Sequence, residues 1–320
     1  MKKCMKTADE ESFMKVFVTG AAGQLGHDVM NELVKRGHQG IGSDVFPVLD
    51  DKHQSNRGID YRQLDITNEW EVREVLDDVR PDAVIHCAAW TAVDLAEEED
   101  NAQKVHAVNV EGTANIARAC KHLDCKMMYI STDYVFDGQG DIPWSPECTD
   151  FKPLNVYGHS KLEGELAVAR TLDSFFIVRI AWVFGLNGKN FIKTILNIGK
   201  KYESIRVVND QIGTPTYTFD LARLLVDMIE TRQFGYYHVT NEGGYISWYD
   251  FACEIFRQAG YNTKVVPVTT QEYGLSKAKR PFNSRLNREK IVASGFRPLP
   301  TWQDALSRYL KELETSEESR

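Results

Sequence analysis

Three residues in the middle of the chain could act together on a carbonyl. Thr132, in the run ISTDYVFDG, offers a hydroxyl at what reads as a strand end. Twenty-five residues later YGHSK offers the Tyr157 phenol and, one helical turn on, the Lys161 ammonium. Residues four apart share a helix face. A phenol with an ordinary pKa of about 10 becomes a usable acid-base group when an ammonium stabilises its phenolate. The set therefore suits protonation of a carbonyl oxygen while hydride arrives at its carbon. A lone YxxxK also fits a surface lysine beside a half-buried tyrosine, so the assignment rests on what accompanies it.

What accompanies it is VFVTGAAGQLG, where Gly20, Gly23 and Gly26 follow the first strand and open the first helix with Gln24 and Leu25. Missing side chains there let backbone N–H groups approach a pyrophosphate. A tight strand-to-helix turn would use the same glycines, and the setting inside a first βαβ unit favours dinucleotide binding. Asp44 stands 18 residues past Gly26 at the end of the second strand, where an acid accepts from the adenosine ribose hydroxyls of NAD. A phosphate on that ribose would want a cation, and Lys52 and Arg57 follow in a loop. The reading favours NADH and leaves NADPH open. Asp65, in QLDIT, is expected at the adenine amine, its neighbour Ile66 among the cofactor-binding residues, and Ala88 and Ala89 along the cofactor. His86 reads as a core imidazole satisfied by backbone.

These residues need a scaffold that brings strand ends together. After Met14, KVFVT, QLGHDVMNELVKR, HQGIGSD, DAVIHCAA, a long helical pattern through Ala119, KMMYIST, a helix from about Val156, and SFFIVRI alternate strand with helix. Such alternation makes βαβ units and one parallel sheet with right-handed crossovers. The expected fold is α/β, a Rossmann-type doubly wound parallel sheet over residues 14–185. A smaller substrate-binding lobe is expected over 186–316, with some of its elements returning to the first domain. Residues 1–13 read as a flexible arm, and the charged end KELETSEESR as a tail that frays over 317–320.

Lys+Arg 38 against Asp+Glu 46 leaves a charge of −8, which carries no footprint for nucleic acid or an anionic membrane surface. Apolar stretches such as Phe175 to Trp182 are broken by Arg179 and fall short of the roughly 20 residues of a bilayer span. Asp9, Glu10 and Glu11 sit where a signal peptide would be apolar, so a cytoplasmic location is expected. Cys4, Cys87, Cys120, Cys125, Cys148 and Cys253 show neither a CxxC pair nor alternating Cys/His spacing. They read as free thiols with no nucleophile among them, and no metal ligand is assigned.

Through TGAAGQLG, NVEGTANIARAC and YGHSK the chain resembles the extended short-chain dehydrogenase/reductases. AAWTAVDLAEEE, STDYVFDG, YGHSKLEGE, RIAWVFG, DQIGTPTYTFDLA and RPFNSRL narrow the resemblance to the dTDP-4-dehydrorhamnose reductase family, over nearly all of Met14 to Trp302. The resemblance implies reduction of the 4-keto group of a dTDP-6-deoxy sugar by NADH or NADPH. Thr132 would bind the carbonyl, Tyr157 would donate the proton, and Lys161 would support Tyr157 and the nicotinamide ribose. Thr91, Val93, Asp94, Tyr134 and Trp182 would lie along the sugar. Related 4,6-dehydratases follow the threonine with Asp-Glu, whereas Asp133-Tyr134 lacks the elimination base, which fits a reductase. Arg280 could pair with the nucleotide diphosphate, since a guanidinium matches phosphate oxygens bidentately, or be a surface arginine beside a proline turn. A homodimer is a family-level expectation. Mg²⁺ at a dimer contact, known in the family, finds no mapped ligand here. Two other readings stay open: another nucleotide-sugar 4-ketoreductase, and a non-catalytic regulatory subunit resembling that of methionine adenosyltransferase.

Overall fold

The central strand runs KVFVT, AVIH and FFIVRI are mostly apolar rather than alternating, as strands covered on both faces must be. In the computed structural model, which describes residues 13–47 and 60–318, they lie in one seven-stranded sheet. Its strands are β1 (Lys15–Thr19), β2 (Gln39–Asp44), β3 (Asp60–Gln63), β4 (Ala83–His86), β5 (Lys126–Thr132), β6 (Phe175–Ile180) and, returning late in the chain, Gly235–His238. The spatial order is 235–238, β6, β5, β4, β1, β2, β3, and every pairing is parallel. Strand order reverses between β1 and β4, which opens the crevice that doubly wound sheets use for ligands. The expected architecture is therefore the observed one.

Two apolar layers sandwich the sheet. On one face α1 (Gln24–Lys35) packs beside the Thr218–Ile229 helix, burying Val29, Met30, Leu33, Leu221, Leu225 and Met228. On the other face lie α2 (Glu69–Val79), the Thr113–Leu123 helix and the Val156–Thr171 helix. The long helical pattern ending near Ala119 is one path interrupted by a π-helical turn, Ala107–Gly112. A separate core around Phe184, Ile195, Phe251, Ile255, Trp302 and Tyr309 holds the C-terminal elements together.

The Trp302–Glu318 helix carries the chain through most of the charged C-terminal segment. Its inner face is held by buried Leu306, Tyr309 and Leu310, and Glu312 accepts a 2.5 Å hydrogen bond from the Tyr217 hydroxyl. Residues 1–12 of the expected arm, the Lys52 and Arg57 loop, and the last two residues lie outside the described part of the chain.

Candidate active site

The glycine turn is built so tightly that only glycine fits at two of its three positions. Gly20 has φ +68°, and a Cβ there would lie 2.7 Å from the Ala88 nitrogen. A Cβ on Gly26 would lie 2.1 Å from the Gly20 carbonyl oxygen. Gly23 is looser, its nearest neighbour in that direction being the Gly20 oxygen at 3.1 Å. As N-cap of α1, Gly23 offers no side-chain cap, so the first-turn amides face outward, as an anion site at a helix start requires. Leu25 is buried in the core beneath the turn, and the Gln24 amide oxygen accepts from Asn190.

Asp44 ends β2 beside this turn. Its carboxylate accepts from Ala22 N at 3.2 Å and Val45 N at 2.8 Å, which aims it across the mouth of the cleft. Asp65 is exposed and bonded to its own turn, accepting from Thr67 N at 3.0 Å and the Thr67 hydroxyl at 2.8 Å. Ile66 turns its side chain into the core, where it fills the space left by Gly112. The hydrophobic layer under β3 holds the Ile66 side chain, which leaves its backbone as the part that faces the cleft side of the turn. Ala88 and Ala89 stay partly open at the end of β4. His86 is buried as expected, but hydroxyls rather than backbone satisfy it: Thr19 Oγ1 at 2.6 Å and Thr113 Oγ1 at 3.1 Å. Burial first, then the Lys161 charge, pushes its pKa down to about 3.

On the far side of the reversal point, β5 delivers Thr132. Its hydroxyl donates to Asp133 Oδ1 at 3.0 Å and accepts from Tyr134 N at 3.2 Å. The Val156–Thr171 helix begins at Asn155, whose side chain accepts from Gly158 N at 2.7 Å, and this cap sets Tyr157 at the first turn. The Tyr157 hydroxyl lies near enough to Thr132 to feel its hydroxyl, so the fold brings together two residues 25 apart in sequence. Burial raises the Tyr157 pKa, Asp133 and Tyr134 add to the rise, and the Thr132 hydroxyl opposes it.

Lys161 is buried at 3% exposure, one turn on. Its ammonium donates to the Ile130 carbonyl at 2.7 Å and sits 4.0 Å above the centre of the Tyr129 ring. The charge expected beside the Tyr157 phenolate is therefore turned toward the strand backbone. Burial pushes the Lys161 pKa down to about 7, with Glu165 and Cys87 opposing. Cys87 is pushed up to about 12 by the same burial, a protonated thiol.

The sugar-side expectations divide. Asp94, Tyr134 and Arg280 meet: Arg280 donates to Asp94 Oδ2 at 2.5 Å and to the Tyr134 hydroxyl at 3.2 Å, and the Tyr134 ring meets Tyr157 edge-on at 5.5 Å. Arg280 is therefore part of the cleft and not a bystander beside Pro281. Trp182 takes a left-handed backbone, φ +51°, and stacks on Trp248 at 3.8 Å, with Gly213 leaving room for the ring. Thr91 is exposed and Val93 opens the short Val93–Ala96 helix.

Four asparagines that carried no signal in the sequence hold these parts in place. Asn109, fully buried in the π-helical turn, accepts from Trp90 N at 2.7 Å and donates to Ser160 at 2.9 Å, tying the 90–94 loop to the tyrosine helix. Asn155 donates to the Lys279 carbonyl at 2.8 Å, bringing the Arg280 segment to that same helix. Asn187 donates to the Ala22 carbonyl at 2.7 Å, and Asn190 to Gln24, so the GLNGKN turn braces the glycine turn.

With this geometry in view, the chain matches the family model described as RmlD substrate binding domain over residues 14–315. The chain belongs to that family. Among similar members, a dTDP-4-dehydrorhamnose reductase of Aggregatibacter actinomycetemcomitans is 38% identical across 91% of this chain and 97% of its own. The spore coat polysaccharide biosynthesis protein SpsK of Bacillus subtilis is 36% identical across 93% and 97%. The crystal structure of a dTDP-4-dehydrorhamnose reductase from Bacillus anthracis in complex with NADP superposes with a TM-score of 0.84 at 37% identity, covering 94% of this chain and all of that one. The RmlD family assignment agrees with the fold and cofactor class expected from the sequence. No described helix is long and apolar enough to cross a membrane.

Proposed function

We propose that this chain is an NAD(P)H-dependent oxidoreductase that reduces the 4-keto group of dTDP-4-dehydro-L-rhamnose to dTDP-L-rhamnose. The observation that carries the reading is the meeting of Thr132 and Tyr157, with Lys161 one helical turn on, across the strand-order reversal from a glycine turn that leaves no room for side chains at Gly20 and Gly26. Gly20, Gly23, Gln24, Leu25 and Gly26 would hold the dinucleotide, with Asp44 on the adenosine ribose, Asp65 and the Ile66 backbone near the adenine, and Ala88 and Ala89 along its length. The bound nicotinamide supplies the hydride.

Everything else falls to the chain's own groups. Thr132 binds the keto oxygen, and Tyr157, kept protonated by burial, gives its proton to that oxygen as negative charge develops there. Lys161 leaves the Ile130 carbonyl to stabilise the resulting phenolate and the nicotinamide ribose. Thr91, Val93, Asp94, Tyr134 and Trp182 line the sugar, and Arg280 takes the diphosphate in place of Asp94. Asp44 beside the ribose supports NADH over NADPH, because a 2′-phosphate would meet its carboxylate.

In the same reading, residues 14–185 with the returning Gly235–His238 strand form the cofactor half and the rest of 186–316 mainly the substrate lobe. The chain works as a homodimer in the cytoplasm. The free thiols Cys87, Cys120, Cys125, Cys148 and Cys253 support a reducing compartment.

The test is oxidation of NADH and NADPH, followed by nicotinamide absorbance, with the dTDP-keto-sugar beside a UDP-linked one. Tyr157→Phe should lower kcat by at least about 100-fold while cofactor affinity holds. Turnover near normal in that variant, or none in the parent with either cofactor, would sink the proposal.

A further inference from the structure

Asp133 directly follows Thr132, and no step of the proposed reduction uses it. The side chain is 2% exposed. One carboxyl oxygen, Oδ1, takes the Thr132 hydroxyl proton at 3.0 Å, while Oδ2 is buried with no hydrogen-bond partner among the described residues. An ionised carboxylate is an acceptor on both oxygens, so an orphaned buried oxygen is costly for the charged form and far less so for the acid.

The Thr132 hydroxyl carries a single proton. In the structure its oxygen already accepts from Tyr134 N at 3.2 Å, and its proton goes to Asp133. A hydroxyl bonded that way has no proton left for a keto oxygen. If Asp133 carries a proton of its own, it no longer demands the one on Thr132, and that hydroxyl can turn outward. We propose that Asp133 works as a neutral carboxylic acid, a positioning residue that frees the Thr132 hydroxyl to donate to the keto oxygen. The inference rests on the keto-reduction reading above.

The groups around Asp133 are consistent with this role. The Thr132 and Ser284 hydroxyls favour its charged form, whereas burial dominates and pushes its pKa up to about 6. The Tyr134 and Tyr157 phenols face it, and the Arg280 and Asp94 charges behind Tyr134 are paired with each other. Two diphosphates entering a cleft from which water is displaced push the carboxyl further toward the acid. Asp133 keeps its proton through the cycle, since the proton consumed comes from Tyr157.

The experiment pairs a pH profile of kcat with an infrared titration of the protonated-carboxyl stretch in the cofactor-free protein, for wild type, Asp133→Asn and Ser284→Ala. The wild type should lose kcat on an alkaline limb, falling about tenfold per pH unit. Asp133→Asn, fixed in a neutral form, should be flat across that range and lack the carboxyl band. Ser284→Ala, which removes a nearby hydroxyl that favours the charged form, should move both the limb and the band midpoint to higher pH, and it serves if Asp133→Asn does not fold. Profiles that superimpose for wild type and Asp133→Asn, or a folded Asp133→Asn that is inactive at every pH, would overturn the proposal. So would a carboxyl band that neither titrates nor responds to Ser284→Ala. The infrared arm reads Asp133 without any substrate, so an error in the proposed reaction would show separately, as absent turnover.

Discussion

Lys161→Met should stabilise the cofactor-free protein while removing its activity. The reasoning begins with the ammonium, 3% exposed and bonded to one carbonyl at 2.7 Å. Burial lowers its pKa from 10.5 to about 7. The unfolded chain holds this proton up to a higher pH than the folded one does, so below pH 7, where both states are charged, the folded state bears the full penalty. At about 1.36 kcal/mol per unit, that penalty is roughly 5 kcal/mol, and it shrinks as pH rises from about 7 toward 10.5 because the folded lysine is already neutral there. Methionine has no such titration. Leaving the Ile130 carbonyl without its donor offsets about 1–3 kcal/mol, so the net gain at pH 6 is about 2–4 kcal/mol. The advantage of the variant should then narrow by roughly 3 kcal/mol between pH 6 and pH 9. Chemical denaturation of both proteins at the two pH values measures it, and titrating groups remote from Lys161 cancel in the difference. A variant less stable than wild type at pH 6, or a gap that does not change with pH, would refute the argument that this lysine is a charge buried for function.

Three further outcomes follow from the packing. Gly26→Ala places a methyl 2.1 Å from the Gly20 oxygen, so cofactor affinity should fall and the melting temperature with it, whereas Gly23→Val should lower affinity with little change in melting, by calorimetric titration and thermal unfolding. Glu165→Gln removes the partner of Arg179, which is fully buried and held at 2.7 and 2.8 Å among the rings of Phe136, Phe151 and Tyr236. An uncompensated buried charge should cost about 3–5 kcal/mol in denaturant midpoint analysis, and a double replacement by Leu and Met should recover most of it. Asn187→Ala should raise the cofactor Kd several-fold with kcat nearly unchanged, because its side chain touches only the glycine-turn carbonyls; an unaltered Kd would count against that brace.

Much of the site was legible because its chemistry is local. The glycine spacing, the threonine at a strand end and the tyrosine and lysine one turn apart are each written within a few residues, and the strand-helix alternation dictates that parallel strand ends bring them together. The same locality explains the expected and observed sheet. Where the sequence was silent, distant partners decided the packing. The Ile66 side chain packs where Gly112, far along the chain, leaves space for it. The last helix is anchored because Leu306, Tyr309 and Leu310 enter a core built from distant elements.

What the sequence determined by itself is the class of chemistry and the scaffold that presents it. What only the tertiary structure decided is the state of the groups. Whether Lys161 faces the phenol or the Ile130 carbonyl, whether Asp133 is solvated or orphaned, and whether Arg280 lies outside or pairs with Asp94 all depend on contacts between residues up to 186 positions apart. Burial and hydrogen bonding set charge, and neither is a property of a residue's type or of its neighbours in the chain.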